Sequence, residues 1–182
     1  MVRSHKNLKR YVTALLLFLA APVFAQDEAE LLDRLKFAET EEAMQIEATL
    51  VRLWSQSGSK AMDLLLERGR RAMRAGDNAK AIEHLTALTD HAPEFAEGWN
   101  ARATAFFLEG MYGPSIADVG RTLALNPNHF GAMSGLATML EEMGEFSDAL
   151  RVQEQLVAIH PARPGVQETL ERLRRKSGGA EL

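Results

Sequence analysis

Four histidines stand outside the first 25 residues, and histidine is the side chain best suited to proton transfer or metal binding near neutral pH. They are His84, His91, His129 and His160, and no two are three or four residues apart, the spacing that sets two imidazoles on one helical face. Three fall in or beside Pro-containing turns, so they read as solvated turn residues and not as zinc ligands. The chain has no Cys, which removes a disulfide framework, a thiolate metal site and a Cys nucleophile. The acidic pairs Asp27-Glu28, Glu41-Glu42 and Glu141-Glu142 sit at expected helix ends and exposed faces, not as buried partners for acid/base work. Ser55, Ser57 and Ser59 belong to the linker "SQSGSK", where Ser59 is a candidate helix cap and no nucleophile elbow surrounds it. No phosphate-binding glycine loop occurs. Met62, Met73, Phe106, Phe107, Met133, Met139 and Met143 read as core or groove lining before any cofactor box. The side chains therefore imply a protein without catalysis, with neither cofactor nor metal.

What must position these residues is a repeat. Pro93, Pro127 and Pro161 are 34 residues apart, and so are Gly76, Gly110 and Gly144. In blocks beginning at Met62, Ala96 and Phe130, Gly69 aligns with Ala103 and Ala137, and Ala81 with Ser115 and Ala149. The glycines suit a helix end that needs a left-handed residue, and Asp77 or Asn78 is available to cap the helix that follows. The small residues suit the closest approach of two antiparallel helices. The prolines are expected to end one hairpin and to open the next helix within its first turn, with Asn126 capping in the middle case. The pattern predicts helices over 60–75, 78–90, 94–109, 113–125, 128–143 and 146–159.

This pattern resembles the tetratricopeptide repeat. The second block, "AEGWNARATAFFLEGMYGPSIADVGRTLALNPNH", carries Trp99, Ala103, Phe106, Gly110, Tyr112, Leu123 and Pro127 at the places that family uses. It departs at Ser115, where Ala is usual, and at Gly113-Pro114; the first block has Leu65 in place of Trp and the third has Met133. The resemblance implies an all-α solenoid of three helix-turn-helix repeats, 62–95, 96–129 and 130–163, within a region 59–163. It also implies a concave groove, lined by the first helix of each repeat, that holds a peptide or partner protein. Its positions are Asp63, Leu66, Arg70, Met73 and Arg74, then Glu97, Asn100, Thr104, Phe107 and Leu108, then Gly131, Ser134, Thr138, Glu141 and Glu142. The candidate binding residues among and beside these are Arg70, Met73, Arg74, Glu97, Asn100, Thr104, Phe107, Ser134 and Thr138. Such a groove would run from a basic end, through an apolar middle with Asn100 and Thr104, to an acidic end. Ala101 and Gly135 stand where a carboxylate clamp would place Asn, so no such clamp is expected.

The flanks are expected to close the solenoid. Residues 26–58 read as a helical hairpin covering the open end of the first repeat, with Ile46, Leu50, Leu53 and Trp54 on one face and Thr40 as a cap. Residues 164–182 read as a terminal capping helix with Val166, Leu170 and Leu173 on its apolar side, ending in a frayed "SGGAEL" tail. Residues 1–25 combine Arg3, Lys6, Lys9 and Arg10 with the apolar run "YVTALLLFLAAPVFA", the form of a secretory signal cleaved before Gln26. That run, about 15 residues, is short of the roughly 20 a spanning helix needs. Removing four basic side chains from 21, with all 25 acids kept, leaves 17 basic residues and a formal charge of −8. Such a field repels phosphate, so nucleic acid is not an expected partner. Export, the absence of Cys and the absence of an Asn-x-Ser/Thr sequon fit a periplasmic protein of the bacterial envelope. Two roles remain: a protein or peptide binder, or a self-associating structural subunit using the convex face or the N-terminal hairpin.

Overall fold

Three glycines set the architecture. Gly76, Gly110 and Gly144 adopt φ of +75°, +72° and +82° in the computed structural model, a region that side chains with a Cβ rarely enter. Gly76 N–H donates to the Met73 carbonyl and Asp77 N–H to the Ala72 carbonyl, and the same two bonds recur at Gly110-Met111 and at Gly144-Glu145. This is the Schellman closure, which satisfies carbonyls that a helix end would otherwise orphan.

The structure describes residues 23–179. Among them nine helices and no strand occur: α1 (Val23–Leu35), α2 (Thr40–Trp54), α3 (Lys60–Arg74), α4 (Asn78–His91), α5 (Ala96–Leu108), α6 (Tyr112–Leu125), α7 (Phe130–Glu142), α8 (Phe146–Ile159) and α9 (Val166–Gly179). Pairs α3–α4, α5–α6 and α7–α8 are the three repeats, and α9 stacks on the last. Asp77 caps α4 by accepting from Lys80 N–H at 3.0 Å. Pro114 falls in the first turn of α6, where no N–H is needed.

The small-residue column is explained by packing. A Cβ at Gly69 would stand 2.5 Å from Leu85 Cγ, while Ala81 and Ala149 are completely buried. Ser115 substitutes for Ala without penalty because its hydroxyl donates to the Ala103 carbonyl at 2.8 Å.

The joints differ from expectation. Pro93, Pro127 and Pro161 do not lie in a helical first turn. Each is the second residue of a β-turn closed from Phe95 N–H to the Ala92 carbonyl, His129 N–H to Asn126, and Arg163 N–H to His160. Proline's fixed φ suits that turn position. Asn126 ends α6 and accepts from Asn128 N–H, so it does not cap α7; His129 does, its Nδ1 accepting from Ala132 N–H at 3.1 Å.

The N-terminal hairpin also departs from expectation. It does not cover the end of the first repeat but folds back to the joints of the third. Leu35, Ala43, Ile46 and Leu50 form one buried cluster with Phe130, Met133, Leu156 and Val166. The Trp54 ring lies 4.8 Å from Phe130 and 4.9 Å from His129. The joint that closes the third repeat supplies partners for Glu47, as described below. Thr40 is the first residue of α2, not its cap; Glu39 holds the cap position without a side-chain bond.

At the other end, Val166, Leu170 and Leu173 are buried as expected. The helix continues through Ser177, Gly178 and Gly179, where a frayed tail was expected. Of the segment 1–25, expected to be a secretory signal, residues 1–22 lie outside the described residues, as do 180–182. No helix among the described residues is long and apolar enough to cross a membrane.

Candidate functional site

The 34-residue period brings α3, α5, α7 and α9 side by side, and repeats the same backbone bond on two of them. Thr104 Oγ1 donates to the Asn100 carbonyl and Thr138 Oγ1 to the Ser134 carbonyl, both at 3.0 Å, with both threonines exposed. Between α5 and α7 opens a pocket of about 110 Å³ whose walls include Asn100, Thr104 and Phe107 from α5, Val119 from α6, and Gly135 and Met139 from α7. Gly135 borders open space there: a Cβ at that position would meet nothing within 4 Å. On the other side of α7 lies a pocket of about 140 Å³, lined by Ser134 and Thr138, by Thr169 and Arg172 of α9, and by Arg163 of the joint. Five of the nine candidate residues, Asn100, Thr104, Phe107, Ser134 and Thr138, thus line two pockets flanking one helix.

The charged candidates are placed differently. Glu97 is only 7% exposed and accepts from His129 Nε2 at 2.8 Å, from Asn100 Nδ2 at 3.1 Å and from the Arg70 guanidinium. Arg70 also reaches Ser55 Oγ at 3.1 Å. Burial pushes the Glu97 carboxyl up, but His129 and Arg70 together outweigh it and hold it below the usual carboxylate range. At the opposite end, Arg172 clasps both Glu141 oxygens at 2.9 Å and Lys176 adds a third bond, which brings the Glu141 carboxyl down to about 2. The Tyr112 hydroxyl donates to Glu142. Of the expected basic-to-acidic gradient, Arg70 and Glu141 are therefore paired within the fold, while Glu142 stays exposed. Met73 packs against the core of the first repeat, and Arg74 is exposed at the end of α3.

Two histidines expected in solvent are buried, His129 at 4% and His160 at 0% exposure. Because His129 Nδ1 accepts from Ala132 N–H, its proton sits on Nε2 and donates to Glu97. His160 pairs with Glu47 of α2 at 2.8 Å, and that hydrogen bond, helped by Arg163 against the cost of burial, holds the Glu47 carboxyl below its ordinary value. The hairpin is thus pinned at both joints through histidine. Among the described residues no group of three or more His, Asp or Glu side chains converges in a way that could hold a metal ion.

Residues 66–113 match the tetratricopeptide repeat family. The fold is a tetratricopeptide solenoid. A TPR repeat-containing protein of Rhizobium etli is 35% identical over 126 residues, which is 69% of this chain; the chain spans 62% of the length of that relative. Among solved structures, the Sgt2 TPR domain from Aspergillus fumigatus superposes with a TM-score of 0.63 at 22% identity, covering 68% of this chain and 83% of that one. The first TPR of Spaghetti (RPAP3), bound to HSP90 peptide SRMEEVD, gives 0.62 at 20% identity over 64% of this chain and 93% of its own. MamA gives 0.61 at 19% identity and covers 85% of this chain and 83% of its own.

One polar cluster of the tetratricopeptide core escaped the sequence reading. Arg102 Nε and Nη2 bond both Asp118 oxygens at 2.7 and 2.9 Å, Nη1 reaches Thr89 Oγ1 at 2.9 Å, and the guanidinium lies over Trp99. The signal was present: Arg102 and Asp118 each stand eight residues from Gly110, so the hairpin turn brings them face to face. Trp99 Nε1 donates to the Pro93 carbonyl at 2.9 Å, tying the joint to α5.

Proposed function

We propose that this chain is a non-catalytic interaction module of the bacterial cell envelope that binds an extended peptide, or a segment of a partner protein, across α5, α7 and α9. The observation that carries the reading is the pocket between α5 and α7: an open, mostly apolar hollow with Asn100 and Thr104 at its rim and Gly135 on its α7 wall. Convergent apolar walls with a few polar groups suit a side chain of a ligand, and Asn100 keeps its Oδ1 for a peptide N–H. The peptide-bound state of the Spaghetti (RPAP3) domain supports this use of the fold. The envelope assignment is supported by the basic and apolar composition of residues 1–25.

Panning random dodecapeptides over the wild-type protein and over Gly135→Leu tests the groove. Leu at that position fills the pocket, and because helical Gly is disfavoured by about 1 kcal/mol the variant melts no lower than its parent. Peptides recovered by wild type and lost by the variant are the expected result; equal recovery places binding elsewhere. Mass spectrometry of the protein recovered from periplasm checks the location, with a mature terminus at Gln26 expected and an intact Met1 in the cytoplasm against it.

A second reading has one observation in its favour. Phe37 is 83% exposed at the hairpin tip, and Met44 and Val51, one face of α2, are 48% and 41% exposed. These would serve self-association of a structural subunit, and light scattering decides: a monomer at every concentration removes it.

A further inference from the structure

The groove is not uniform, and the pocket between α7 and α9 differs in chemistry from its neighbour. Its lining includes two guanidinium groups, Arg163 and Arg172, and three hydroxyls, Ser134, Thr138 and Thr169, with no carboxylate. Arg172 is committed to Glu141. Arg163 is held more loosely: Oε1 of Glu47, 3.6 Å from Nη2, forms an ion pair beyond hydrogen-bond reach, and Nη1 is buried with no hydrogen-bond partner. The Phe130 ring, 5.3 Å below, supports the guanidinium from the other side. Nη1 itself is closed to a ligand, so what the pocket can meet is the 24% of the Arg163 side chain that stays exposed, a cation that Glu47 does not hydrogen-bond and that favours an added acceptor. The approach of Glu47 from the hairpin side shows which kind of group this arginine attracts.

We propose that this pocket receives the side-chain carboxylate of a Glu or Asp in the bound peptide, three residues from an apolar side chain seated between α5 and α7. The inference rests on the groove reading above. The spacing follows from geometry: packed helices are roughly 8–10 Å apart, and a polyproline-type strand rises about 3.1 Å per residue with every third side chain on one face. Residues i and i+3 therefore enter pockets on either side of α7. The apolar partner is Leu-sized, matching the hollow walled by Ala103, Phe107, Val119 and Met139.

The probe is a fluorescein-labelled peptide Ser-Leu-Pro-Ser-Glu-Ser with a C-terminal amide, titrated by anisotropy against the full chain. Saturable binding is expected, with the Glu→Gln peptide about tenfold weaker, the size of a charge-assisted hydrogen bond. Arg163→Gln should erase the difference between the two peptides. Because Arg163 also faces the hairpin, Thr169→Glu serves as a second variant on the far wall; it should weaken the Glu peptide and spare the Gln peptide. Equal affinity of both peptides for the wild type overturns the proposal, as does an unchanged ratio in Arg163→Gln. Binding only when the Gln peptide carries a free C-terminal acid also overturns it, since a chain terminus is then recognised. If neither peptide binds, the proposal falls. Panned peptides that still depend on Gly135 would then keep the groove reading alone, and their absence would remove both.

Discussion

On the joint side of the concave face, Glu97 is enclosed by Arg70, Asn100 and His129, with Trp54 of the hairpin stacked against the His129 ring. Two turns along the same helices, Thr104 and Thr138 face solvent and bond only their own backbone. Both regions occupy positions where the repeat register puts groove residues. The difference is the hairpin: where α2 lies, charged side chains are drawn into pairing and burial, and where it does not, short hydroxyls and glycine leave space. Register alone says which side chains point inward, while the flanking segment decides which of them remain free to meet a ligand.

The sharpest way to break this comparison is to empty the joint side. Phe130→Ala removes the ring on which Trp54, His160 and Arg163 converge and should cost about 3–5 kcal/mol in denaturant unfolding. Thr104→Ala and Thr138→Ala should each stay within about 0.5 kcal/mol of the parent. If the Thr variants lose as much as Phe130→Ala, the open side is not open.

An intermediate effect comes from the helix crossing within the third repeat. Ala149 is fully buried there, so Ala149→Leu should overpack it and cost about 1–3 kcal/mol in a thermal melt. A melt like that of the parent would refute the packing register on which both sides depend.

The smallest expected change is in the acid response. The Glu141 carboxyl is depressed to about 2 from an ordinary 4.5, so its contribution is present above the ordinary value and is lost as pH falls from about 4.5 toward 2. Glu47 and Glu97 are depressed too and lose stability in the same direction. Melts across this range should therefore be less acid-sensitive in Glu141→Gln, with the residual slope belonging to the joint side. An identical slope would show that the clasp of Arg172 and Lys176 contributes nothing.

The repeat was legible because its columns answer local backbone demands: a left-handed helix closure at Gly110 and a turn at Pro127 need those residues whatever surrounds them. The pocket residues Asn100, Thr104 and Phe107 were legible for the same reason, through register. The hairpin's destination was not, because nothing within residues 26–58 states which apolar edge it will fill. That gap also hid the burial of His160. His160 lies in a turn, and turns are ordinarily solvated, yet its partner Glu47 is 113 residues away in sequence. Arg163 and Arg172 were missed as lining residues because the pocket they share with Ser134 forms only when α9 stacks on the third repeat.

The most direct measurement places a photo-crosslinking side chain at position 104, on the α5 wall of the apolar pocket, or at exposed Ala117 on α6, and illuminates each with a panned peptide. The account predicts a peptide adduct from position 104 and none from position 117. Adducts from 117 alone, or equally from both, would contradict it.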